Sequence, residues 1–234
     1  MMDVILVGGL WLDGGTVWRQ VAEELLARGH QPVPVRLPGL GDGNTAATLA
    51  DQVTAVVDAV DGADGKPLVV GHSAASTLAW LAADARPEQI AAVALIGGFP
   101  TSDGEPYADF FEPVDGAMPF PGWGEFEGPD SDDLDEAAKA ELAAAAIPVP
   151  EGVTRARVSY TDPRRSEVPV TLVCPEFDPE DAKAWIDAGD LPELARASRL
   201  DFIDLPTGHW PMVSAPGKLA GILADLADQH GSDG

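Results

Sequence analysis

The sequence contains a single cysteine, Cys174, so it cannot form an internal disulfide framework. A lone cysteine is typical of proteins from a reducing compartment. Met1 to Asp3 lead directly into the apolar stretch Val4–Val7, with no basic region and no cleavage site, so we expect no signal peptide. No apolar run approaches the length that spans a bilayer. These absences predict a soluble, cytoplasmic protein that does not bind a membrane.

Basic residues are also scarce. The sequence has 14 Lys and Arg but 39 Asp and Glu, which gives a net charge of −25. A chain without a basic surface cannot neutralise phosphates, so nucleic acid is not an expected partner. One cysteine and four scattered histidines predict no metal site. Gly8-Gly9-Leu10 breaks the spacing of a dinucleotide-binding loop. We therefore expect no cofactor and no metal, and a small-molecule substrate as the partner of a monomer or homodimer.

Short apolar runs alternate with helical stretches along most of the 234 residues. The runs that predict strands are Val4–Val7, Gln31–Arg36, Pro67–Val70, Ile90–Ile96, Val168–Cys174 and Leu200–Leu205. The stretches that predict helices are Trp18–Arg28, Thr48–Asp61, Asp181–Ala188, Leu191–Arg199 and Leu219–His230. This alternation predicts an α/β domain over residues 1–234 with a doubly wound, mostly parallel sheet. In such sheets ligands bind at the carboxyl ends of the strands.

The alternation stops between residue 101 and about residue 157. This segment is rich in proline, glycine and aromatic residues, and only Asp132–Ala146 within it predicts a helix. A long irregular insertion in a compact domain is usually functional or mobile. We predict a cap or lid over the site, with its aromatic residues facing a pocket. The alternative is a surface excursion that packs its aromatic rings on the sheet.

Ser73 stands at the point where an apolar strand changes into an alanine-rich helical pattern. The local sequence Gly71-His72-Ser73-Ala74-Ala75 differs from the nucleophile-elbow signature Gly-x-Ser-x-Gly only in its last residue. Such a turn lifts a serine hydroxyl out of the backbone at a helix N-terminus, where negative charge is favoured. A serine that merely caps a helix is the alternative interpretation.

A serine needs a base that takes its proton, and the base needs a carboxylate that orients it. Of the four histidines, only His209 lies in a loop after a late predicted strand. Asp178 follows the preceding strand and is the first choice for the carboxylate. Glu176 and Asp103 are the alternatives. Because all of these residues follow strands, a parallel sheet would gather them with Ser73 at one edge.

Acyl transfer passes through an oxyanion, which needs preorganised N–H donors. The backbone N–H of Ala74, directly after Ser73, is one candidate. The backbone N–H of Leu10, in the loop after the first strand, is the other. We expect Trp11, Phe99 and Trp210 to line the substrate pocket.

With these residues, the chain resembles the α/β-hydrolases over nearly its whole length. It is similar to small members of the methylesterase and hydroxynitrile lyase type. The resemblance rests on four stretches: Val4–Trp11, Gly71–Ser76, Pro169–Asp178 and Leu205–Pro211. It implies a triad of Ser73, His209 and Asp178, an oxyanion hole at Leu10 and Ala74, and a cap. Gly8 stands where the family usually has histidine, and Ala75 and Pro175 stand where glycine is usual.

The expected function is that of a serine hydrolase that cleaves a small, largely apolar carboxylic ester through an acyl-enzyme. Two alternatives remain open, because a fold does not fix a reaction. One is a non-catalytic member of the same fold that binds a ligand. The other is a cofactor-free lyase that uses the same triad with His209 as general base.

Overall fold

Six parallel strands form the central sheet of the computed structural model, which describes residues 1–231. In chain order the strands are β1 (Asp3–Val7), β2 (Gln31–Pro34), β3 (Leu68–His72), β4 (Ala92–Ile96), β5 (Ala117–Met118), β6 (Val149–Pro150), β7 (Val170–Cys174) and β8 (Leu200–Asp204). The sheet has the order β2-β1-β3-β4-β7-β8, and β5 and β6 form a separate antiparallel pair. The predicted α/β class with a mostly parallel sheet is confirmed.

The helices that connect these strands are α1 (Gly14–Val17), α2 (Arg19–Ala27), α3 (Leu49–Asp61), α4 (Ala75–Ala85), α5 (Glu136–Ala145), α6 (Glu151–Thr154), α7 (Pro179–Ala188), α8 (Pro192–Ala195), α9 (Pro211–Ser214) and α10 (Pro216–Gly231). Helix α5 starts later than predicted, because the Asp135 side chain accepts a hydrogen bond from the Ala138 N–H and so caps the helix there. Among residues 1–231, no helix combines the length and the apolar character needed to cross a bilayer.

The core lies in two layers, one on each face of the sheet, because successive strand residues point to opposite faces. On one face the strand residues pack against α3 and α4, in a cluster that includes Ile5, Val69, Val93, Leu172, Val56 and Leu78. On the other face they pack against α2 and α10, in a cluster that includes Leu6, Val70, Ala94, Val173, Val21 and Leu223. Burial on both faces explains why the inner strands β1, β3, β4 and β7 are mostly apolar, whereas the edge strand β8 carries two exposed aspartates.

Residues 97–169, between β4 and β7, form a segment that we call the insert. It contains β5, β6, α5, α6 and three 3-10 turns at Trp123–Phe126, Gly128–Asp130 and Pro163–Glu167. Its C-terminal end is fixed to the body by Arg165, which pairs with Asp84 at 3.2 Å and with Glu193 at 2.9 Å. All three side chains are buried. The irregular segment predicted for residues 101–157 thus lies within the insert.

Candidate active site

Ser73 occupies a strained turn between β3 and α4. Its φ angle is 55°, in the left-handed region that residues with a Cβ atom seldom adopt. The Ser73 N–H donates a hydrogen bond of 2.8 Å to the Ile96 carbonyl at the end of β4, which holds the turn against the sheet. Strain of this kind persists where the surrounding structure enforces it, and it is concentrated at functional sites. The geometry is that of a nucleophile elbow.

His209 and Glu176 form a hydrogen-bonded pair beside this turn. The distance between His209 Nδ1 and Glu176 Oε1 is 2.7 Å, and both side chains are mostly buried. Glu176 follows β7, and His209 follows β8, the next strand in the sheet. The parallel sheet therefore brings a carboxylate and an imidazole to the edge at which Ser73 lies. In this pair the carboxylate fixes the ring orientation of His209 and leaves Nε2 free to exchange a proton.

The choice of Asp178 as the carboxylate is wrong. Asp178 is exposed, and its Oδ1 atom accepts hydrogen bonds from the N–H groups of Glu180 and Asp181 at 2.8 and 2.9 Å. It therefore caps α7. The alternative Asp103 is also wrong, because its Oδ1 atom accepts from the Tyr160 N–H within the insert. The remaining alternative, Glu176, is the carboxylate that contacts His209.

His72, the residue before Ser73, contacts the main chain of His209. Its Nε2 atom lies 2.7 Å from the His209 carbonyl oxygen, so Nε2 carries the proton and donates. Complete burial, together with the nearby His209, lowers the pKa of His72 to about 3, although the hydrogen bond to the carbonyl acts in the opposite direction. His72 is therefore neutral at physiological pH. This role of His72 is not visible in the sequence, because the contact joins positions 137 residues apart.

Asp130 supplies a further carboxyl group beside the His209 and Glu176 pair. Burial raises the pKa of Asp130 above its ordinary value. The charge of His209 acts against this rise, whereas the Glu176 carboxylate adds to it. The sequence contained no local pattern that could have indicated this residue.

The loop after β1 lies directly against the elbow. A methyl group placed on Gly9 would lie 3.1 Å from Ser73 Cβ. Within residues 1–231, neither the Leu10 N–H nor the Ala74 N–H donates a hydrogen bond to the protein. Trp11 has a φ angle of 63°, so this loop is strained as well. Both N–H groups are therefore available to an oxyanion, and the oxyanion hole itself stays a prediction.

Ser73 and His209 open into a cavity of about 200 Å³ whose walls are mainly aromatic. The cavity is lined by Leu10, Trp11, His72, Ser73, Phe110, Phe111, Phe126, His209 and Trp210. Two of the three predicted pocket residues, Trp11 and Trp210, are thus in the lining. The third, Phe99, is not, because its ring packs against Phe177 at 5.3 Å and Trp185 at 5.7 Å. Among residues 1–231, no acidic side chain and no lysine or arginine lines the cavity, so it suits a neutral, apolar ligand.

The insert supplies much of the cavity wall through a group of contacting rings. Trp11 of the body meets Phe120 and Phe126 of the insert at 5.5 and 6.1 Å between centroids. Phe126 in turn meets Trp210 at 5.3 Å. The predicted cap has aromatic residues that face a pocket, but Phe126 is not among the residues that the sequence indicates. Within the described residues, no group of His, Cys, Asp and Glu side chains could hold a metal ion.

Residues 4–222 match the model of the alpha/beta hydrolase family. The chain belongs to this family. This alpha/beta hydrolase is 25% identical to Methylesterase 7 of Arabidopsis thaliana. The match covers 97% of this chain and 96% of Methylesterase 7. The match confirms the resemblance inferred from the sequence.

Two solved structures show the same fold. An extracellular alpha/beta-hydrolase from a Paenibacillus species has a TM-score of 0.79 at 19% identity, with 96% of this chain and 98% of that chain covered. A pyrethroid hydrolase from Sphingobium faniae has a TM-score of 0.74 at 22% identity, with 97% of each chain covered.

Proposed function

We propose that this alpha/beta hydrolase is a serine hydrolase that cleaves small, largely apolar carboxylic esters. The observation that carries the proposal is the 2.7 Å contact between Glu176 and His209 at the edge of the sheet where the strained Ser73 enters an aromatic cavity. A hydrogen-bonded imidazole and carboxylate next to a serine on a tight turn form the machinery that activates a hydroxyl as a nucleophile.

In the proposed reaction, Ser73 Oγ attacks the ester carbonyl carbon while His209 takes the hydroxyl proton. The negative charge that develops on the carbonyl oxygen is stabilised by the N–H groups of Leu10 and Ala74. Collapse of this intermediate breaks the bond to the alcohol oxygen, and His209 returns the proton to the departing alcohol. Water then attacks the acyl-enzyme with His209 again as base, and the products are the carboxylic acid and free Ser73. Glu176 orients His209 and stabilises its protonated form.

The substrate class follows from the cavity and receives support from the relatives. Walls formed by Trp11, Phe111, Phe126 and Trp210 favour apolar groups, and a volume of about 200 Å³ favours a small ester. Charged substrates would lose their hydration without gaining a partner there. The relatives are called a methylesterase and a pyrethroid hydrolase, and both names are those of hydrolases.

Intact-mass analysis after incubation with a fluorophosphonate tests the proposal. We expect one adduct on the wild type, none on Ser73→Ala, and much slower formation on His209→Ala. Hydrolysis of p-nitrophenyl acetate should show the same order. A wild type that forms no adduct would overturn the proposal and favour a non-catalytic protein that binds its ligand in the same cavity. An adduct without ester turnover would favour a lyase reaction with His209 as general base.

A further inference from the structure

The loop that carries His209 is bonded to the insert through two consecutive main-chain N–H groups. The Gly208 N–H donates to Asp133 Oδ2 at 2.7 Å, and the His209 N–H donates to the Asp130 carbonyl oxygen at 2.7 Å. Both acceptors belong to residues 128–134 of the insert, which we call the clamp segment. The clamp segment thus binds the residue pair that contains the proposed base.

The clamp segment has a defined internal structure. The Ser131 hydroxyl donates to the Phe126 carbonyl at 2.6 Å, and the N–H groups of Ser131 and Asp132 both donate to the Gly128 carbonyl. Leu134 is buried in the same core cluster as Trp210. Since its own hydrogen bonds and a buried leucine fix the segment, it can hold a neighbouring loop in place.

The contact between the two loops is close enough to require glycine at position 208. A Cβ atom at this position would overlap Asp133 Oδ1 and the Asp130 carbonyl oxygen. The absence of a side chain on Gly208 therefore lets the clamp segment reach the main chain directly beside His209. A larger residue than Gly208 directly before His209 would push the two loops apart.

We propose that Asp133 is a positioning residue for His209 in the hydrolysis reaction. The inference rests on the proposed function, in which His209 is the base. Glu176 fixes the orientation of the imidazole ring, but the distance from the ring to Ser73 depends on where the main chain of His209 lies. Asp133 fixes that main chain through the Gly208 N–H, and small displacements of a catalytic group reduce rates strongly.

The test compares three variants with the wild type. Asp133→Ala removes the acceptor, and Asp133→Asn keeps an oxygen that can accept from the Gly208 N–H. Asp132→Ala removes the neighbouring carboxylate, which is exposed as Asp133 is. The measurements are the fluorophosphonate labelling rate of Ser73 and kcat and KM for p-nitrophenyl acetate. We expect Asp133→Ala to lower the labelling rate and kcat by about tenfold with KM unchanged, because the cavity is not altered.

Asp133→Asn should recover most of the rate, and Asp132→Ala should match the wild type. If Asp133→Ala behaves like Asp132→Ala, or if Asp133→Asn is as slow as Asp133→Ala, Asp133 does not position His209. Should Asp133→Ala fail to fold, Asp133→Glu moves the carboxylate by one methylene group, and a lowered labelling rate in that variant supports the same conclusion. An unchanged rate in Asp133→Glu then overturns it. Failure of the proposed function is distinguishable, because the wild type itself would then form no adduct.

Discussion

His72 Nε2 donates a hydrogen bond of 2.7 Å to the main-chain carbonyl of His209, so the residue before the proposed nucleophile holds the proposed base. The N–H group of the same His209 donates to the Asp130 carbonyl. One peptide is thus held from the elbow on one side and from the insert on the other. The ring that it carries is held separately by Glu176. The position of His209 is therefore determined by three different parts of the chain.

Replacement of His72 by leucine should weaken both folding and catalysis. The variant leaves the His209 carbonyl without its buried donor, which costs about 1–3 kcal/mol of unfolding free energy. We also expect kcat to fall by about tenfold, because His209 can shift. Gln52→Leu is the matched control, since the buried Gln52 donates in the same way to the Pro38 carbonyl. Neither Gln52 nor Pro38 is among the residues that line the cavity. Denaturant unfolding and ester kinetics should show similar stability losses but a kcat loss only for His72→Leu.

The pH dependence of stability should contain a contribution from His72. Its pKa is about 3 in the folded protein and about 6.5 when unfolded, so between these values the unfolded chain binds more protons. The unfolding free energy of the wild type should therefore fall as the pH is lowered from 6.5 toward 3, by up to about 1.4 kcal/mol per pH unit from this group. His72→Leu lacks that contribution. If wild type and His72→Leu lose stability in parallel over this range, His72 is not buried in its neutral form.

Glu176→Gln should reduce kcat far more than Asp178→Asn. A glutamine can donate or accept at the His209 ring but cannot stabilise the imidazolium, and comparable changes in triads cost about 10⁴-fold. Asp178→Asn should leave kcat within about twofold of the wild type, because asparagine caps helices as well as aspartate does. Equal losses in the two variants would contradict the assignment of Glu176.

Phe126→Ala should enlarge the cavity and extend the range of esters that react. Phe126 lines the cavity, so its truncation opens space next to Trp11 and Trp210. We expect the ratio of kcat/KM for p-nitrophenyl butyrate to that for the acetate to rise by about tenfold. Phe99→Ala is the control, because Phe99 packs outside the cavity against Phe177 and Trp185. It should lower stability by less than the roughly 3–5 kcal/mol that truncation of a fully buried phenylalanine costs, because Phe99 is only partly buried, and it should leave this ratio unchanged. If Phe99→Ala changed the ratio of kcat/KM for the two esters as much as Phe126→Ala does, the acyl group would not bind next to Phe126.

Arg165→Met should destabilise the protein through the loss of its buried ion pairs. Glu193 and Asp84 would keep their charges in the core without the guanidinium, which costs about 3–5 kcal/mol when one partner of a buried pair is removed. Arg196 pairs with the same Glu193 but is largely exposed, so Arg196→Met should cost less than about 1 kcal/mol. Chemical denaturation distinguishes the two, and a loss as small as about 1 kcal/mol in Arg165→Met would mean that the Arg165 pairs contribute little.

The elbow and the histidine could be predicted because each signal is local. The apolar run Pro67–Val70, followed by Gly71-His72-Ser73, specifies a strand and a turn, and only His209 among the histidines follows a late strand. The carboxylate was misassigned because Glu176 and Asp178 follow the same strand. The sequence Asp178-Pro179-Glu180 carried a usable signal, since an aspartate before a proline at the first helical position is typical of a helix start.

The contacts of the insert could not be predicted in the same way. Asp133 and Gly208 are 75 residues apart. Asp133 falls in the helix predicted for Asp132–Ala146, but it lies before the actual start of α5 at Glu136. Phe126 lies in a short 3-10 turn that the sequence pattern does not reveal. Such contacts depend on tertiary packing, which local propensity does not encode. Phe99 was misplaced for the same reason, because the strand end was predictable but the direction of the following ring was not.

The hydrogen bonds of Trp11 restrict how a substrate can reach Ser73. Its indole N–H donates to the Met118 carbonyl at 3.1 Å, and its own carbonyl accepts from the Ile147 N–H at 3.0 Å. The insert is therefore bonded to the loop that carries the Leu10 N–H, and lifting it as a rigid cover would also pull that donor away. Phe110, which is 62% exposed where it lines the cavity, makes a different route possible. An ester that enters on the Phe110 side would leave every main-chain donor around Ser73 in place.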